Sequence, residues 1–221
     1  MSNVDRSAVI RDVLASVTSA VRLLFFEQSI GCETCTPTRQ LLEQLSDLSP
    51  YITVETLNLI LEKDRAAQYG VDRVPAIVVS SPARERIRFY GAPFGHELMS
   101  LLEAIRMTAS GESGLGEASR AQLATLTQPV RLQVFFTPTC TFCPQMVNLA
   151  NRMAVESAHI TATAIDATEY PDLVRRYSVN GVPKTIINDS AEITGAVTEE
   201  QLVQEVLRAS GIGIQASGVD L

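Results

Sequence analysis

Several features that would assign this sequence of 221 residues to a class are missing from it. It contains no tryptophan and only two histidines. No segment approaches the roughly 18 uninterrupted apolar residues that a transmembrane helix requires. The N-terminal segment carries Asp5, Arg6, Arg11 and Asp12, where a secretory signal peptide needs an apolar run. We therefore expect a cytoplasmic protein that does not associate with membranes.

The charge and the apolar content exclude further classes. Lys and Arg number 18 against 25 Asp and Glu, a formal net charge of −7 without any basic block, so we do not expect nucleic acid as a partner. A hydrophobic content of 46% is too high for a disordered chain, and four cysteines are too few for a small secreted domain stapled by disulfides. A globular protein of one large or two small domains remains.

The four cysteines show that the sequence contains an internal repeat. They form two CxxC pairs, Cys32 with Cys35 and Cys140 with Cys143, and the pairs lie 108 residues apart. Each pair follows an apolar segment that ends in two phenylalanines and is typical of a buried strand. Helical and strand-like segments alternate in the same order after both pairs, which predicts an α/β fold with a central sheet and helices on its faces.

A Val-Pro dipeptide occurs 40 residues after each pair, at Val74-Pro75 and at Val182-Pro183. Equal spacing in both copies indicates duplication of a unit of about 105 residues. A Gly- and Ser-rich stretch around residue 110 predicts the boundary, with one unit over residues 1–110 and the other over residues 116–221. Residues 211–221 lack periodicity, so we expect a mobile tail there.

A CxxC pair at a strand-to-helix junction predicts redox chemistry. We expect the first thiol at the helix N-terminus, where unpaired N–H groups and the helix dipole favour the thiolate, and the second thiol one turn inside. Cys32 and Cys140 would attack a substrate disulfide, and Cys35 and Cys143 would resolve the mixed disulfide, without metal or organic cofactor. The non-enzymatic alternative is a zinc-binding module, although ribbon-type zinc sites keep their cysteine pairs about 15–20 residues apart.

The Val-Pro dipeptides are candidate substrate-binding elements. A proline before a strand could simply begin an edge strand. Because both copies keep it at one distance from a CxxC, we interpret Val74, Pro75, Val182 and Pro183 as lying opposite the thiols. A cis bond there would expose the valine backbone for pairing with an extended substrate.

The order of strand, CxxC, helix, strand, helix and Val-Pro resembles the thioredoxin fold. The tandem arrangement is similar to the glutaredoxin-like protein disulfide oxidoreductases, which are related to protein disulfide isomerase. Segments 91–97, 136–144, 169–171 and 182–184 carry this second resemblance.

The resemblance implies two tandem thioredoxin-like units, each with a central mixed sheet flanked by helices. It also implies dithiol–disulfide exchange on protein substrates at both CxxC sites, with reduction by a thioredoxin-reductase-like flavoprotein. The tandem fold is also similar to the N-terminal domain of flavoproteins that reduce peroxiredoxins. An alternative function is therefore electron transfer to a peroxiredoxin.

The first site departs from this pattern. Thr36, rather than a proline, follows Cys35, so its potential or role is expected to differ. Thioredoxins also carry a buried aspartate six residues before the first cysteine, where this chain has Phe26 and Val134. Glu27 and Glu169 are the nearest acids by position, and we expect both to be solvated surface carboxylates outside the site.

A charge difference predicts that the two pairs differ in redox potential. Glu33 lies within the first CxxC, whereas Thr141 and Phe142 place no charge in the second. A neighbouring anion disfavours the thiolate and so destabilises the reduced pair. The first pair is therefore expected to be the more reducing.

Overall fold

The computed structural model describes residues 3–82 and 84–211. The first repeat comprises α1 (Asn3–Ala15), β1 (Val21–Glu27), α2 (Cys35–Asp47), β2 (Ile52–Asn58), α3 (Lys63–Gln68), β3 (Ala76–Ser81), β4 (Arg84–Tyr90) and α4 (Glu97–Ser110). The second comprises α5 (Glu117–Leu123), β5 (Val130–Phe136), α6 (Cys143–Glu156), β6 (Ile160–Asp166), α7 (Pro171–Arg176), β7 (Lys184–Ile187), β8 (Ala191–Thr194) and α8 (Glu199–Ala209). The alternating α/β order expected from the sequence is confirmed.

The proposed domain boundary falls between two helices. Residues 111–116 lie in neither helix nor strand. The division at 1–110 and 116–221 stays a prediction, and most of the expected tail, 212–221, lies outside the described residues. No helix in the described ranges is long and apolar enough to cross a membrane.

The eight strands form one continuous mixed sheet in the order β2-β1-β3-β4-β6-β5-β7-β8. Each repeat contributes four strands in which a parallel pair is followed by two antiparallel pairings. The repeats join where β4 pairs in parallel with β6, placing Arg88 beside Thr163. The two mixed sheets that the resemblance implies are therefore fused edge to edge.

Two hydrophobic cores lie on opposite faces of this sheet. Successive residues of a strand point to opposite faces, so each Phe-Phe pair contributes to both cores. Phe25 and Phe136 pack in the larger core with α2, α4, α6 and α8, whereas Phe26 and Phe135 pack in the smaller core with α3 and α7. All four rings are fully buried. Burial on both faces explains the near-continuous apolar runs that precede the CxxC pairs.

Strand directions place both CxxC pairs at one edge of the sheet. β1 is antiparallel to β3 and β3 is antiparallel to β4, while β4, β6 and β5 are mutually parallel. β1 and β5 therefore run in the same direction and end at the same edge. Four strand steps separate them, which corresponds to about 19 Å at the usual interstrand spacing.

Candidate functional site

The second CxxC pair forms a disulfide between Cys140 and Cys143, with their Cα atoms 5.5 Å apart. Cys143 is the first residue of α6 and is fully buried, whereas Cys140 lies in the preceding turn and is partly exposed. Cys140 thus lies at the helix N-terminus as expected, whereas Cys143 is the first helical residue rather than a residue one turn inside the helix. The Cys143 N–H still donates to Cys140 Sγ over 3.1 Å. This N–H belongs to the first turn of the helix and has no carbonyl partner within it, so it favours negative charge on Cys140 Sγ.

The first pair has the same topology and a different hydrogen bond. Cys32 and Cys35 form a disulfide with their Cα atoms 5.4 Å apart, and Cys35 is buried at the first residue of α2. Here the Cys35 N–H donates to the carbonyl oxygen of Cys32 over 3.4 Å. In both sites the first cysteine is partly exposed and the second is buried. The sites differ in the atom that accepts from the N–H of the second cysteine, which is a carbonyl oxygen at the first site and a sulfur at the second.

Both Val-Pro peptide bonds are cis. Pro75 directly precedes β3, whose Ala76 pairs with Phe26 near the end of β1. Pro183 precedes β7 in the same way. Val74 and Val182 thus lie outside the strand ladders, at the sheet edge where β1 and β5 lead into the CxxC pairs.

The first site is built by both repeats. The Thr34 hydroxyl, inside the first CxxC, donates to Glu169 Oε2 over 2.5 Å, and the Ala92 N–H donates to Glu169 Oε1 over 2.7 Å. The Tyr170 hydroxyl donates to the carbonyl oxygen of Pro75 over 3.0 Å. Glu169 is part-buried at the interface of the repeats, so the expectation of a solvated carboxylate away from the site was wrong. Glu27 is part-buried too and accepts from Arg39 over 2.9 Å.

A buried acid that was not among the predicted site residues lies in the segment 91–97, which contacts the loop before the second site. Glu97, the first residue of α4, is 0% exposed, and neither of its carboxylate oxygens forms a hydrogen bond of normal geometry with a described residue. Burial raises the pKa of Glu97 to about 7, with the charge of Asp166 acting in the same direction and nearby Ser100 opposing it. An acidic residue in the first helical turn is ordinarily explained by the helix dipole, so the sequence carried no sign of burial.

Contacts of the adjoining backbone locate Glu97 relative to the cysteines. The His96 N–H donates to the carbonyl oxygen of Pro138, two residues before Cys140. Asp166, which influences Glu97 electrostatically, pairs with Phe136 at the end of β5. The N-terminus of α4 therefore contacts the loop that leads into the second site.

Bulky apolar side chains are exposed at the same edge. Phe142, inside the second CxxC, is 67% exposed, and Ile30, just before the first pair, is 87% exposed. Ile60 and Leu61 follow β2, which runs parallel to β1, and are exposed as well. Such exposed apolar side chains are typical of surfaces that contact other proteins.

The arrangement is incompatible with one zinc site made of all four cysteines. Zinc–sulfur bonds are about 2.3 Å long, whereas the two pairs follow strands about 19 Å apart. The four-thiolate module considered from the sequence is therefore excluded by geometry.

Comparisons with known proteins agree with this geometry. Residues 130–208 match the family model of the thioredoxin domain. A protein disulfide oxidoreductase from Aeropyrum pernix is 28% identical, with a TM-score of 0.87 over 98% of this chain and 97% of that one. A structure of the alkylhydroperoxide reductase AhpF from Enterococcus faecalis is 26% identical, with a TM-score of 0.86 over 93% of this chain and 99% of that one.

A curated NADH dehydrogenase of Ferdinandcohnia aciditolerans is 29% identical over 80% of this chain, a match that spans only 31% of that protein. The chain thus corresponds to about a third of the length of the curated relatives that it matches. The likeness of the fold to the first two structures, taken together with the repeated CxxC disulfides, identifies the chain as a tandem thioredoxin-fold protein with a CxxC pair in each half.

Proposed function

We propose that this protein is a thiol–disulfide oxidoreductase that acts on protein disulfides at both CxxC sites. One observation carries the proposal, namely that each site joins a partly exposed first cysteine to a buried second cysteine at the start of a helix. An exposed sulfur can meet a macromolecular substrate, and a buried partner three residues away can react only within the protein.

The exchange proceeds in two steps, which the second site illustrates. The Cys140 thiolate attacks one sulfur of a substrate disulfide, which forms a mixed disulfide and releases one substrate thiolate. The Cys143 thiolate then attacks Cys140 Sγ, which restores the internal disulfide and releases the second substrate thiolate. Two electrons pass to the substrate, and the reverse sequence oxidises a substrate dithiol.

The surroundings of the second site assist both steps. The Cys143 N–H stabilises the attacking thiolate on Cys140. Cys143 must lose its proton inside the protein before it attacks. We assign Glu97 as the acceptor of that proton, because it is buried at the start of α4, next to the residue that contacts the loop before Cys140, and its pKa is raised to about 7.

Substrate contacts would come from the valine backbone beside the cis prolines and from the apolar rim, which we define as the exposed side chains of Ile30 and Phe142. Val74 and Val182 lie outside the ladders, beside the cis prolines, and can pair with an extended substrate segment. Ile30 and Phe142 would contact apolar side chains next to the substrate disulfide. We propose Val74, Pro75, Val182 and Pro183 as substrate-binding residues on this basis.

The electron donor we propose is a flavoprotein of the thioredoxin-reductase type, and the location we propose is the cytoplasm. A second candidate function is electron transfer to a peroxiredoxin, and the likeness to an alkylhydroperoxide reductase favours it. A peroxiredoxin from the same cell would then be reduced much faster than insulin. Comparable rates would support general protein disulfide exchange.

Insulin reduction by dithiothreitol tests the proposal. We expect catalysis by the wild-type protein, partial loss in Cys32→Ser and in Cys140→Ser, and complete loss when both are replaced. Ala158→Ser, a similarly small change at an exposed position, serves as the control and should retain full activity. An inactive wild-type protein, or a double variant with wild-type activity, would refute the proposal.

A further inference from the structure

A second concave site lies on the sheet face that carries α3 and α7, where the repeats join. Its cavity has a volume of about 220 Å³. Arg88 of β4, Thr163 of β6 and Gln133 of β5 lie side by side in one row across three adjacent strands. Thr161 and Arg131 form the next row. The cavity floor is thus polar at the centre of the sheet, where apolar side chains are the rule.

Four guanidinium groups and two carboxylates line this cavity. The arginines are Arg73, Arg88, Arg131 and Arg176, and the carboxylates belong to Asp72 and Asp189. Arg73 is paired with Asp72 and with Asp172, and Arg131 is paired with Asp189. The cavity therefore carries an excess of positive charge in a chain whose net charge is −7.

The excess comes from Arg88 and Arg176. Arg88 Nε donates to the carbonyl oxygen of Tyr69 over 2.6 Å, and Arg88 forms no ion pair with any described carboxylate. Burial lowers the pKa of Arg88, because a desolvated cation without a counterion is destabilised. Arg176 lies over the ring of Tyr177 at 5.1 Å and likewise lacks an ion pair within the described ranges.

We propose that this cavity binds a small oxyanion of the phosphate class. Guanidinium groups present planar, directed donors that match phosphate oxygens, and the Thr163 hydroxyl and Gln133 amide add neutral donors. A bound anion would neutralise the part-buried Arg88, which has no carboxylate partner among the described residues. The cavity is below the roughly 300 Å³ of ordinary small-molecule sites, so the ligand is a phosphate group rather than a whole nucleotide.

The central row of this cavity is set back from the cysteines. Gln133 precedes the end of β5 by three residues, which places its row about 10 Å from the edge that carries the CxxC pairs. Residues from both repeats line the cavity, so a bound anion would hold them together. An anion that binds only the folded state stabilises the folded protein by mass action.

Isothermal titration calorimetry of the full chain with sodium phosphate, at constant ionic strength in chloride, tests the proposal. We expect saturable binding of one anion per chain and a thermal midpoint that rises with phosphate. Arg88→Gln and Arg176→Gln should each weaken binding by roughly tenfold or more, as expected for a lost charge-assisted hydrogen bond. Arg106→Gln removes an arginine that pairs with Glu103 on α4, and it should bind as the wild-type protein does.

Arg176 is exposed, so its variant is expected to fold even where Arg88→Gln does not. Glycerol 3-phosphate in place of phosphate separates the two sources of the ligand. Equal or tighter binding of the ester supports a phosphorylated molecule, and binding of phosphate alone supports the free anion. Absence of saturable binding of either, or unchanged affinity in Arg176→Gln, would overturn the proposal.

Discussion

Replacement of the buried acid Glu97 by glutamine should change how stability depends on pH. Glu97 is fully buried and its pKa is raised to about 7, mainly by desolvation. Glutamine has nearly the same shape and stays neutral at every pH. The variant therefore represents the protonated wild-type protein.

The size and sign of the effect follow from that pKa. In the unfolded chain a glutamate has its ordinary pKa of 4.5, so between about pH 4.5 and 7 the folded protein holds a proton that the unfolded chain has released. The contribution of protonated Glu97 to the free energy of unfolding is therefore fully present below pH 4.5 and is lost as the pH rises to 7. The difference between the two pKa values corresponds to about 3 kcal/mol.

Urea unfolding of the disulfide form at pH 4.5 and pH 8 measures this difference. The difference in unfolding free energy, Glu97→Gln minus wild type, should be about 3 kcal/mol larger at pH 8 than at pH 4.5. Glu117→Gln is a matched control, because Glu117 is also the first residue of its helix but is exposed. A stability difference between Glu97→Gln and wild type that does not change with pH would refute a raised pKa for Glu97.

Three further predictions concern the first site, the joint between the repeats and the apolar rim. Glu169→Gln should lower the pKa of the Cys32 thiol, because an anion that contacts the CxxC loop is removed. Thiolate absorbance against pH measures this, and an unchanged pKa would count against the assigned contact. Gly91→Ala should cost at least about 1 kcal/mol more than Gly195→Ala, because both glycines have positive φ but only a Cβ on Gly91 would meet a side-chain carbon at 2.6 Å. Equal losses in urea unfolding would contradict this packing. Phe142→Ser should raise KM for insulin severalfold and leave the turnover of a small disulfide unchanged, whereas equal effects on both would argue against an apolar docking role.

The features repeated within each half of the chain could be predicted from the sequence. Cysteine spacing and the Val-Pro distance depend on local chain geometry, which each repeat reproduces. The isomer of the Val74-Pro75 and Val182-Pro183 bonds could not be predicted from the sequence, and the structure shows that both are cis. The strand predicted through Phe26 is confirmed and ends one residue later, at Glu27; a buried strand needs apolar residues on both faces, which makes it recognisable.

Contacts between the halves could not be predicted. Pairing of β4 with β6 joins two edges whose residues carry no complementary pattern, since backbone hydrogen bonds do not depend on side-chain type. Glu97 and Glu169 look like ordinary surface acids in the sequence. Only the packing of one repeat against the other brings Glu169 to the first CxxC and the start of α4 to the loop before the second CxxC. The electrostatics of the sites therefore depend on tertiary placement.

The hydrogen bonds strengthen the prediction that the first pair is the more reducing. Glu169 adds a second carboxylate beside the first CxxC, which already contains Glu33. The helix donor at the second site contacts Cys140 Sγ and stabilises the thiolate there. The extra carboxylate destabilises the thiolate of the first pair, and the helix donor stabilises the thiolate of the second pair. The second pair is therefore the more easily reduced of the two.

Redox titration of the two pairs tests the central claim most directly. In Cys32→Ser/Cys35→Ser only the second pair remains, and in Cys140→Ser/Cys143→Ser only the first pair remains. Against a glutathione or thioredoxin reference, we predict one reversible two-electron couple in each variant, two in the wild-type protein, and the lower potential at the first pair. A pair that does not titrate reversibly would contradict the claim that both sites exchange disulfides, and equal or inverted potentials would contradict the charge assignment.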